Sequence, residues 1–516
     1  MKTPLTPLEP VLRALAVYAS RTAVLEHGQS TTYSAWSQRM ARLVAVLHAK
    51  GLQPGGHVLL ISPNTADALL SFHSVPLAGG VIVPLNPAFA DDSLNFLSRH
   101  ADPQVALVDA TQLARVESSL VALDIPVVVL GTPAFEEALS AVRAAPLALP
   151  EDLDEDAPIS INYTSGTTSD PKGVMLTHRN AFVALGNLLY HLNLRPQSVL
   201  LHALPLAHGN GWGCVWACSA AGAAHVPLPD SSGLRAALAD PGVAATHLYA
   251  SPALLAALTE AGSAPQLAQP LRLLLAGTSP PPKMLRALEK RGVQVLHGYG
   301  LTETSAIMAV TDTADLQGPA ESSAVLARQG HPMVFGGQLA VVLDNGQPVP
   351  ADGQTPGEVV IRGNQVMKGY YKNRGATRRA IKQGWLHTGD LAVVHPDRRI
   401  EILDREGDLL RLGGPPVSSA QIEGVLYRHP SVREAVVVAA CGEEGRDVPV
   451  AFVTLHTGAQ VLGRELLGFC TPHLPPHALP RRVQVVTELP KTASGKVLKH
   501  VLRSQIRDRD SGQSAD

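Results

Sequence analysis

The sequence predicts an α/β fold: a large amino-terminal domain of two wound α/β sheets plus a small β unit, followed by a small carboxy-terminal αβ domain. Three observations carry this. From Leu25 to Leu149, short apolar runs (His57 to Ser62, Val81 to Leu85, Val105 to Asp109 and Ile125 to Leu130) alternate with helical periodicity. Apolar runs flanked by helices mark a buried parallel sheet. A second series of the same kind, Val199 to Leu204, Ala224 to Leu228, Ala245 to Tyr249, Leu271 to Leu275 and Val293 to His297, predicts a second sheet joined to the first. After Ala309 the runs Gln338 to Val342, Gly357 to Arg362 and Arg399 to Leu403 are separated by Gly, Pro and Asp-rich turns, the pattern of an antiparallel unit. The charged segment Asp404 to Asp408 ends that unit, and a compact αβ pattern follows. The boundary is therefore expected between residues 1–404 and 405–516, with Arg507 to Asp516 as a polar tail.

Composition narrows the functional classes. The chain's 516 residues exceed one ordinary core, and 45% hydrophobic against 17% charged residues supply the apolar surface that folding needs. Lys and Arg number 42 and Asp and Glu 44, so the cationic field that non-specific nucleic-acid binding requires is missing. Aromatics at 4% argue against a base-stacking surface. Cys214, Cys218, Cys441 and Cys470 are too few for a disulfide framework, and Met1 to Pro7 has no signal-like apolar core, so a cytoplasmic protein is expected. The most apolar stretch, Cys214 to Pro229, falls short of the ~20 residues that span a bilayer, and no transmembrane segment is expected.

Four blocks carry chemistry. Tyr163 to Val174 gathers hydroxyls, two glycines and Lys172, so that N–H groups, hydroxyls and a cation can converge on phosphate oxygens. It is not a Walker A loop, because Gly173 follows the lysine where Ser or Thr belongs. In His297 to Thr304, Tyr299 offers a flat face, Thr302 a hydroxyl and Glu303 a carboxylate for a divalent cation, at the strand end where α/β sheets dock ligands. Asp390, in the glycine turn Gly384 to Asp390, can accept from both hydroxyls of a ribose. Pro490 to Val497 carries Lys496 after small residues. Each block alone also fits a bland structure: a polar surface loop, a capped β-turn, an ordinary glycine turn and a solvated lysine.

In this order and at these separations, the four blocks resemble the adenylate-forming superfamily of acyl-CoA synthetases, luciferases and peptide-synthetase adenylation domains, from about Leu25 to Leu502. The resemblance implies that Thr164, Ser165, Gly166, Thr167, Thr168 and Lys172 hold the ATP phosphates and that Gly298 and Tyr299 receive adenine. It implies that Thr302 binds the α-phosphate, Glu303 binds Mg²⁺, Asp390 and Arg405 hold the ribose, and Lys496 bridges the attacking carboxylate and the α-phosphate. The carboxy-terminal domain would then move about a hinge near 405–408, centred on Gly407. ATP, Mg²⁺ and CoA are the implied ligands, and activation of an apolar monocarboxylic acid, fatty ahead of aromatic, to acyl-AMP and then acyl-CoA is the implied reaction. Leu204 to Trp212 and Ala276 to Ser279 resemble the walls of the acyl pocket, which makes His208, Trp212, Gly277 and Thr278 the pocket residues. The small residues Gly211, Gly213, Gly277 and Thr278 are expected to leave room for a bulky or extended acyl group.

Two departures bear on the second half-reaction. Gly407 stands where the family usually carries a charged hinge residue, and the thioester loop reads Gly413-Gly414-Pro415-Pro416 where Gly-Gly-Glu is usual. Transfer to a carrier-protein phosphopantetheine and a catalytically silent homologue are the alternatives. Against the silent one, Glu303, Asp390, Arg405 and Lys496 are all present. A zinc site from His202, His208, Cys214, Cys218 and His225 has the right ligand types, but its spacing matches no usual zinc pattern, and core packing is the preferred reading.

Overall fold

The computed structural model describes residues 3–512 except 165–170, 253, 256–265, 278–279, 281, 313–324, 327, 413–416, 442–446 and 492–496. Among the described residues, one sheet has seven strands in the order Gly369–Tyr370, Lys172–Thr177, Pro158–Thr164, Val81–Leu85, His57–Ile61, Pro103–Asp109 and Val127–Leu130. A second has nine, running from His331–Pro332 through Ala306–Asp312, Gln294–Leu301, Arg272–Leu275, His247–Ala250, Val199–His202, Ala224–Pro227 and Thr22–Glu26 to Gln29–Thr32. The central strands of both pair in parallel, as their near-continuous apolar runs require. The two wound sheets, the small β unit and the carboxy-terminal αβ domain therefore match the fold read from the sequence.

A helix between the sheets binds them into one body. In Ala66–Leu77 every residue from Ala68 onward is buried, and the helix starts where Thr65 accepts a hydrogen bond from the Ala68 N–H. Trp216 Nε1 donates to the Phe72 carbonyl at 3.1 Å, fixing the helix Cys214–Ala221 of the second sheet against it. A helix that is apolar all round belongs inside a protein.

The small β unit is a five-stranded antiparallel sheet of Gln338–Val342, Gly357–Arg362, Trp385–Val394, Ile381–Lys382 and Ile400–Arg405. Its last strand pairs Arg405 with Asp390 and Asp404 with Leu391, so the boundary segment begins as part of this sheet. Beyond it, Val432–Cys441, Asp447–Leu455 and Arg482–Val485 form a three-stranded sheet over a core that includes Leu410, Ile422, Leu426, Val437, Val453 and Leu466.

Candidate active site

Three backbone devices build the candidate site. The strands Pro158–Thr164 and Lys172–Thr177 are antiparallel with Thr164 opposite Lys172, so both flanks of the phosphate-loop block stand side by side at one sheet end. Ser165, Gly166, Thr167 and Thr168 lie outside the described residues.

The second device is the hairpin Gln294–Leu301 with Ala306–Asp312, which slips register between Tyr299 and Gly300. A Cβ on Gly300 would lie 1.9 Å from the Ala306 carbonyl oxygen, so only glycine lets the strands approach this closely. The strand runs on through Leu301, placing Gly298 and Tyr299 within it, and Thr302–Thr304 forms a short 3₁₀ turn. Thr304 Oγ1 accepts from the Leu301 N–H at 2.9 Å. Ser305 (φ 55°) and Ala306 (φ 110°) then reverse the chain in a region that costs non-glycine residues free energy, directly behind Glu303.

The third device is the small β unit, whose register sets Arg405 opposite Asp390. The Tyr299 hydroxyl donates to Asp390 Oδ2 at 2.7 Å, and Arg405 Nε lies 3.2 Å from Asp390 Oδ1. Burial, then the Asp390 carboxylate, pushes the Tyr299 phenol well above its usual range, so it stays a hydrogen-bond donor. Three residues far apart in sequence thus form one cluster.

Glu303 has a partner that sequence reasoning missed. The Tyr370 hydroxyl donates to Glu303 Oε1 at 2.9 Å, and Lys172 Nζ lies 5.4 Å from the centre of the Tyr370 ring. Burial, then Glu303, pushes the Tyr370 phenol up. Its only signal in the sequence is the pair Tyr370-Tyr371 after Gly369, in a chain with 4% aromatics.

The acyl-wall block adopts an uncommon backbone. From Gly209 to Gly213 every φ lies between 54° and 75°, a left-handed helical turn closed by Gly213 N–H to the Gly209 carbonyl at 3.1 Å. Left-handed geometry costs a side-chain-bearing residue about 1–2 kcal/mol, which Asn210 and Trp212 must offset. Asn210 does so in a buried ring, accepting from Asn162 Nδ2 at 3.0 Å and donating to Ser160 Oγ at 2.8 Å. Ser160 and Asn162 sit on the strand that leads into the phosphate loop. Trp212 packs its ring with its centre 5.6 Å from that of Tyr249 and 6.5 Å from that of His208.

The expected room at Gly211 and Gly213 is absent. A Cβ at Gly211 would meet Tyr249 Oη at 3.1 Å and Leu206 at 3.2 Å, and one at Gly213 would meet Leu188 at 3.1 Å. These glycines serve the left-handed turn, and neighbouring side chains fill the space beside them. Gly277 is exposed with nothing within 4 Å of its Cβ position, while Thr278 lies outside the described residues.

Behind Trp212 runs a buried polar chain. Tyr249 Oη lies 3.2 Å from His202 Nδ1, His202 Nε2 lies 2.8 Å from His225 Nδ1, and Ser219 Oγ joins His225 Nε2 (2.8 Å) to His73 Nε2 (3.0 Å). His73 Nδ1 is buried without a hydrogen-bond partner. An orphaned lone pair is tolerated better than an orphaned N–H, so His73 carries its proton on Nε2. Every bond then points from His73 toward Tyr249, whose hydroxyl turns to the Leu204 carbonyl at 3.5 Å. Burial lowers His73 and His202 to about 3 and His225 well below its ordinary value, so all three rings are neutral. Burial likewise pushes the Cys214 thiol up to about 12 and the Cys218 thiol well above its ordinary value.

In the turn Glu406–Asp408, Gly407 is exposed with nothing within 4 Å of its Cβ position, and its carbonyl accepts from Arg503 Nη2 at 3.2 Å. Arg503 also pairs with Asp408, so a charge missing at position 407 stands one residue later. Gly413, Gly414 and Lys496 lie outside the described residues.

The site therefore holds a strand-borne phenol on a carboxylate–arginine pair, and a carboxylate and lysine that bracket one tyrosine. The chain belongs to the AMP-binding enzyme family, which it matches over residues 11–371, with the AMP-binding enzyme C-terminal domain over residues 421–496. Among its relatives is a peroxisomal acetate/butyrate–CoA ligase of Arabidopsis thaliana, 34% identical over 98% of this chain and 95% of the relative. A peroxisomal benzoate–CoA ligase of the same plant is 33% identical over 97% and 93%. The crystal structure of ATP-bound MatB from Rhodopseudomonas palustris shares the fold, with TM-score 0.87 at 24% identity over 98% of this chain and all of that one. No helix among the described residues is long and apolar enough to cross a membrane.

Proposed function

We propose that the protein is an AMP-forming acyl-CoA synthetase that joins an apolar monocarboxylic acid to CoA through an acyl-adenylate. The observation that carries this is the double cluster on one hairpin and its turn: Tyr299 on Asp390 and Arg405, and Glu303 on Tyr370 beneath Lys172. The Asp390 carboxylate has about four lone-pair positions. Tyr299 and Arg405 engage one oxygen each and fix the carboxylate that receives the ribose hydroxyls, while the Tyr299 ring offers its face to adenine. Thr164, Lys172 and the loop between them receive the phosphates, and Thr302 receives the α-phosphate.

Glu303 fits a Mg²⁺ site, because Mg²⁺ asks the protein for only one or two carboxylates and completes its shell with phosphate oxygens and water. Tyr370 occupies Oε1 and orients the carboxylate toward that task. When bound, the ion neutralises charge on the phosphates.

In the first half-reaction, a carboxylate oxygen of the acid attacks the α-phosphorus of ATP, the P–O bond to pyrophosphate breaks, and acyl-AMP forms. Lys496 bridges the two anionic partners, and its contribution is electrostatic. In the second, the CoA sulfur attacks the acyl carbon and AMP leaves with the bridging oxygen as the thiol loses its proton. Between them, a domain of residues 405–516 swings on a hinge at 405–408 against residues 1–404, bringing the loop at Gly413 and Gly414 to the thiol.

A fatty acid is favoured over an aromatic one: the acyl blocks carry no Arg or Lys for a second carboxylate, and exposed Gly277 leaves open space at one wall. The named substrates of the relatives, acetate/butyrate and benzoate, span both classes. A cytoplasmic location is part of the proposal, although those relatives are named peroxisomal. Pyrophosphate release over a panel of carboxylic acids, with and without CoA, tests the function. Acid-dependent pyrophosphate with CoA consumption is the expected result. Acid-dependent pyrophosphate without CoA consumption points to a carrier-protein acceptor, and no ATP turnover or ATP binding points to a silent homologue.

A further inference from the structure

Tyr370 stands where three separate pieces of the nucleotide site meet. Its backbone belongs to the phosphate-loop sheet: Tyr370 pairs with Val174 and Gly369 with Met175, and the Tyr371 N–H donates to the Gly173 carbonyl at 2.7 Å. One residue before that strand pair, the Lys368 N–H donates to the Met175 carbonyl at 3.0 Å, and the Met367 N–H donates to the Glu303 carbonyl at 2.8 Å. The Tyr370 N–H is held by Thr377 Oγ1 at 2.9 Å. The Tyr370 main chain is thus fixed to the strand carrying Lys172, and Met367, three residues earlier, is fixed to the turn carrying Glu303.

The side chain uses that placement twice. Its hydroxyl donates to Glu303 Oε1 at 2.9 Å, and its ring lies 5.4 Å from Lys172 Nζ. A donor on one oxygen restrains rotation of a carboxylate and leaves the second oxygen aimed at a fixed point, the relation that ligating carboxylates have with their outer partners. A ring face against an ammonium restrains a lysine that has four rotatable bonds of its own.

We propose that Tyr370 is a positioning residue for adenylation, setting the Glu303 carboxylate for the metal of MgATP through its hydroxyl and the Lys172 ammonium for the phosphates through its ring. This rests on the reading of Glu303 as the metal carboxylate. The two tasks belong to different atoms of one side chain, so they separate by substitution. Tyr370→Phe keeps the ring and loses the donor. Tyr370→Leu loses both.

The measurement is the affinity of the full chain for MgATP and for metal-free ATP in excess chelator, each by titration calorimetry, with the ratio of the two as readout. Outer partners of metal ligands are typically worth about 10–100-fold in metal affinity. Tyr370→Phe is therefore expected to lower the MgATP-to-ATP ratio about tenfold or more, with metal-free ATP binding within about twofold of the parent. Tyr370→Leu is expected to show the same loss in the ratio and, in addition, a weaker affinity for metal-free ATP by about two- to fivefold, the size of an exposed cation–π contact. A merely structural tyrosine would weaken both forms of the nucleotide equally and leave the ratio unchanged, and that result overturns the proposal. Glu303→Gln separates the two levels. If it collapses the ratio while Tyr370→Phe does not, the role of Tyr370 is wrong and the metal site stands. If neither variant moves the ratio, the reading of Glu303 falls and the role of Tyr370 falls with it.

Discussion

Lowering the pH from 7.5 to 5.5 is expected to destabilise the large domain through histidines buried in neutral form. An unfolded imidazole titrates near 6.5. Burial lowers His73 and His202 to about 3 and His178, His247 and His297 to about 4 in the folded chain, with His225 well below its ordinary value. The unfolded chain therefore binds more protons than the folded one below 6.5, and stability must fall with pH. The contribution is complete above about 6.5 and is lost progressively toward the folded values. Each pKa unit is worth about 1.36 kcal/mol, so each histidine costs ~1.4 kcal/mol at pH 5.5 and the three of the Tyr249–His73 chain together ~4 kcal/mol. Glu26 and Asp67, raised by burial, act in the opposite direction and offset part of the total from all six. The ~4 kcal/mol from these three rings is a large part of the ~5–15 kcal/mol that holds a domain together. Urea unfolding followed by tryptophan fluorescence at pH 7.5, 6.5 and 5.5 measures it, since Trp212 and Trp216 flank this chain. Little change from 7.5 to 6.5 and a steep loss from 6.5 to 5.5 is expected. A loss below ~1.4 kcal/mol by pH 5.5, the worth of a single histidine, would refute the assignment of neutral buried rings.

Four substitutions test other parts of the site. Gly300→Ala drives a Cβ to 1.9 Å from the Ala306 carbonyl oxygen and should cost about 3 kcal/mol or more, whereas Gly407→Ala meets nothing within 4 Å and should stay within ~0.5 kcal/mol; thermal and urea melts of both variants check the contrast. Tyr299→Phe removes a donor from buried Asp390 and should cost about 1.5–3 kcal/mol in stability or ATP affinity, read by melting and calorimetry. Lys496→Ala should lose ~10²–10³ in adenylation rate while still forming thioester from synthetic acyl-adenylate and CoA, and equal loss of both steps would remove its assigned role.

What was legible in the sequence was whatever a contiguous run can encode. His57 to Ile61, Val81 to Leu85 and Val105 to Asp109 read as buried strands because Val58 to Ile61, Val81 to Leu85 and Val105 to Val108 are unbroken apolar runs, and they sit at the centre of their sheet. Tyr299, Glu303, Asp390 and Arg405 were found by motif resemblance, and the fold brings Tyr299, Asp390 and Arg405 into contact. Relations across the chain were not legible. Thr22–Glu26 joins the second sheet beside Ala224–Pro227, and nothing local marks that pairing. Tyr370 reaches Glu303 only because its strand pairs with Lys172–Thr177. The error at Gly211 and Gly213 has the same origin: a missing side chain was read as space, whereas Tyr249, Leu206 and Leu188 arrive from other elements to fill it. The left-handed turn was hidden for a further reason, since Trp212 has no intrinsic preference for positive φ and adopts it only because Asn210 and Tyr249 hold the turn in place.

Oxygen transfer tests the acyl-adenylate most directly. If a carboxylate oxygen attacks the α-phosphorus of ATP, and the CoA sulfur later breaks the acyl–oxygen bond, that oxygen must leave on AMP. The experiment is a turnover with ATP, Mg²⁺, CoA and a doubly ¹⁸O-labelled acid chosen from the pyrophosphate panel, with the products separated and weighed by mass spectrometry. One labelled oxygen in each AMP, none in pyrophosphate and one in the acyl-CoA carbonyl is the expected result. Label in ADP or orthophosphate, or AMP without label, would contradict adenylation of the acid as the chemistry of this site.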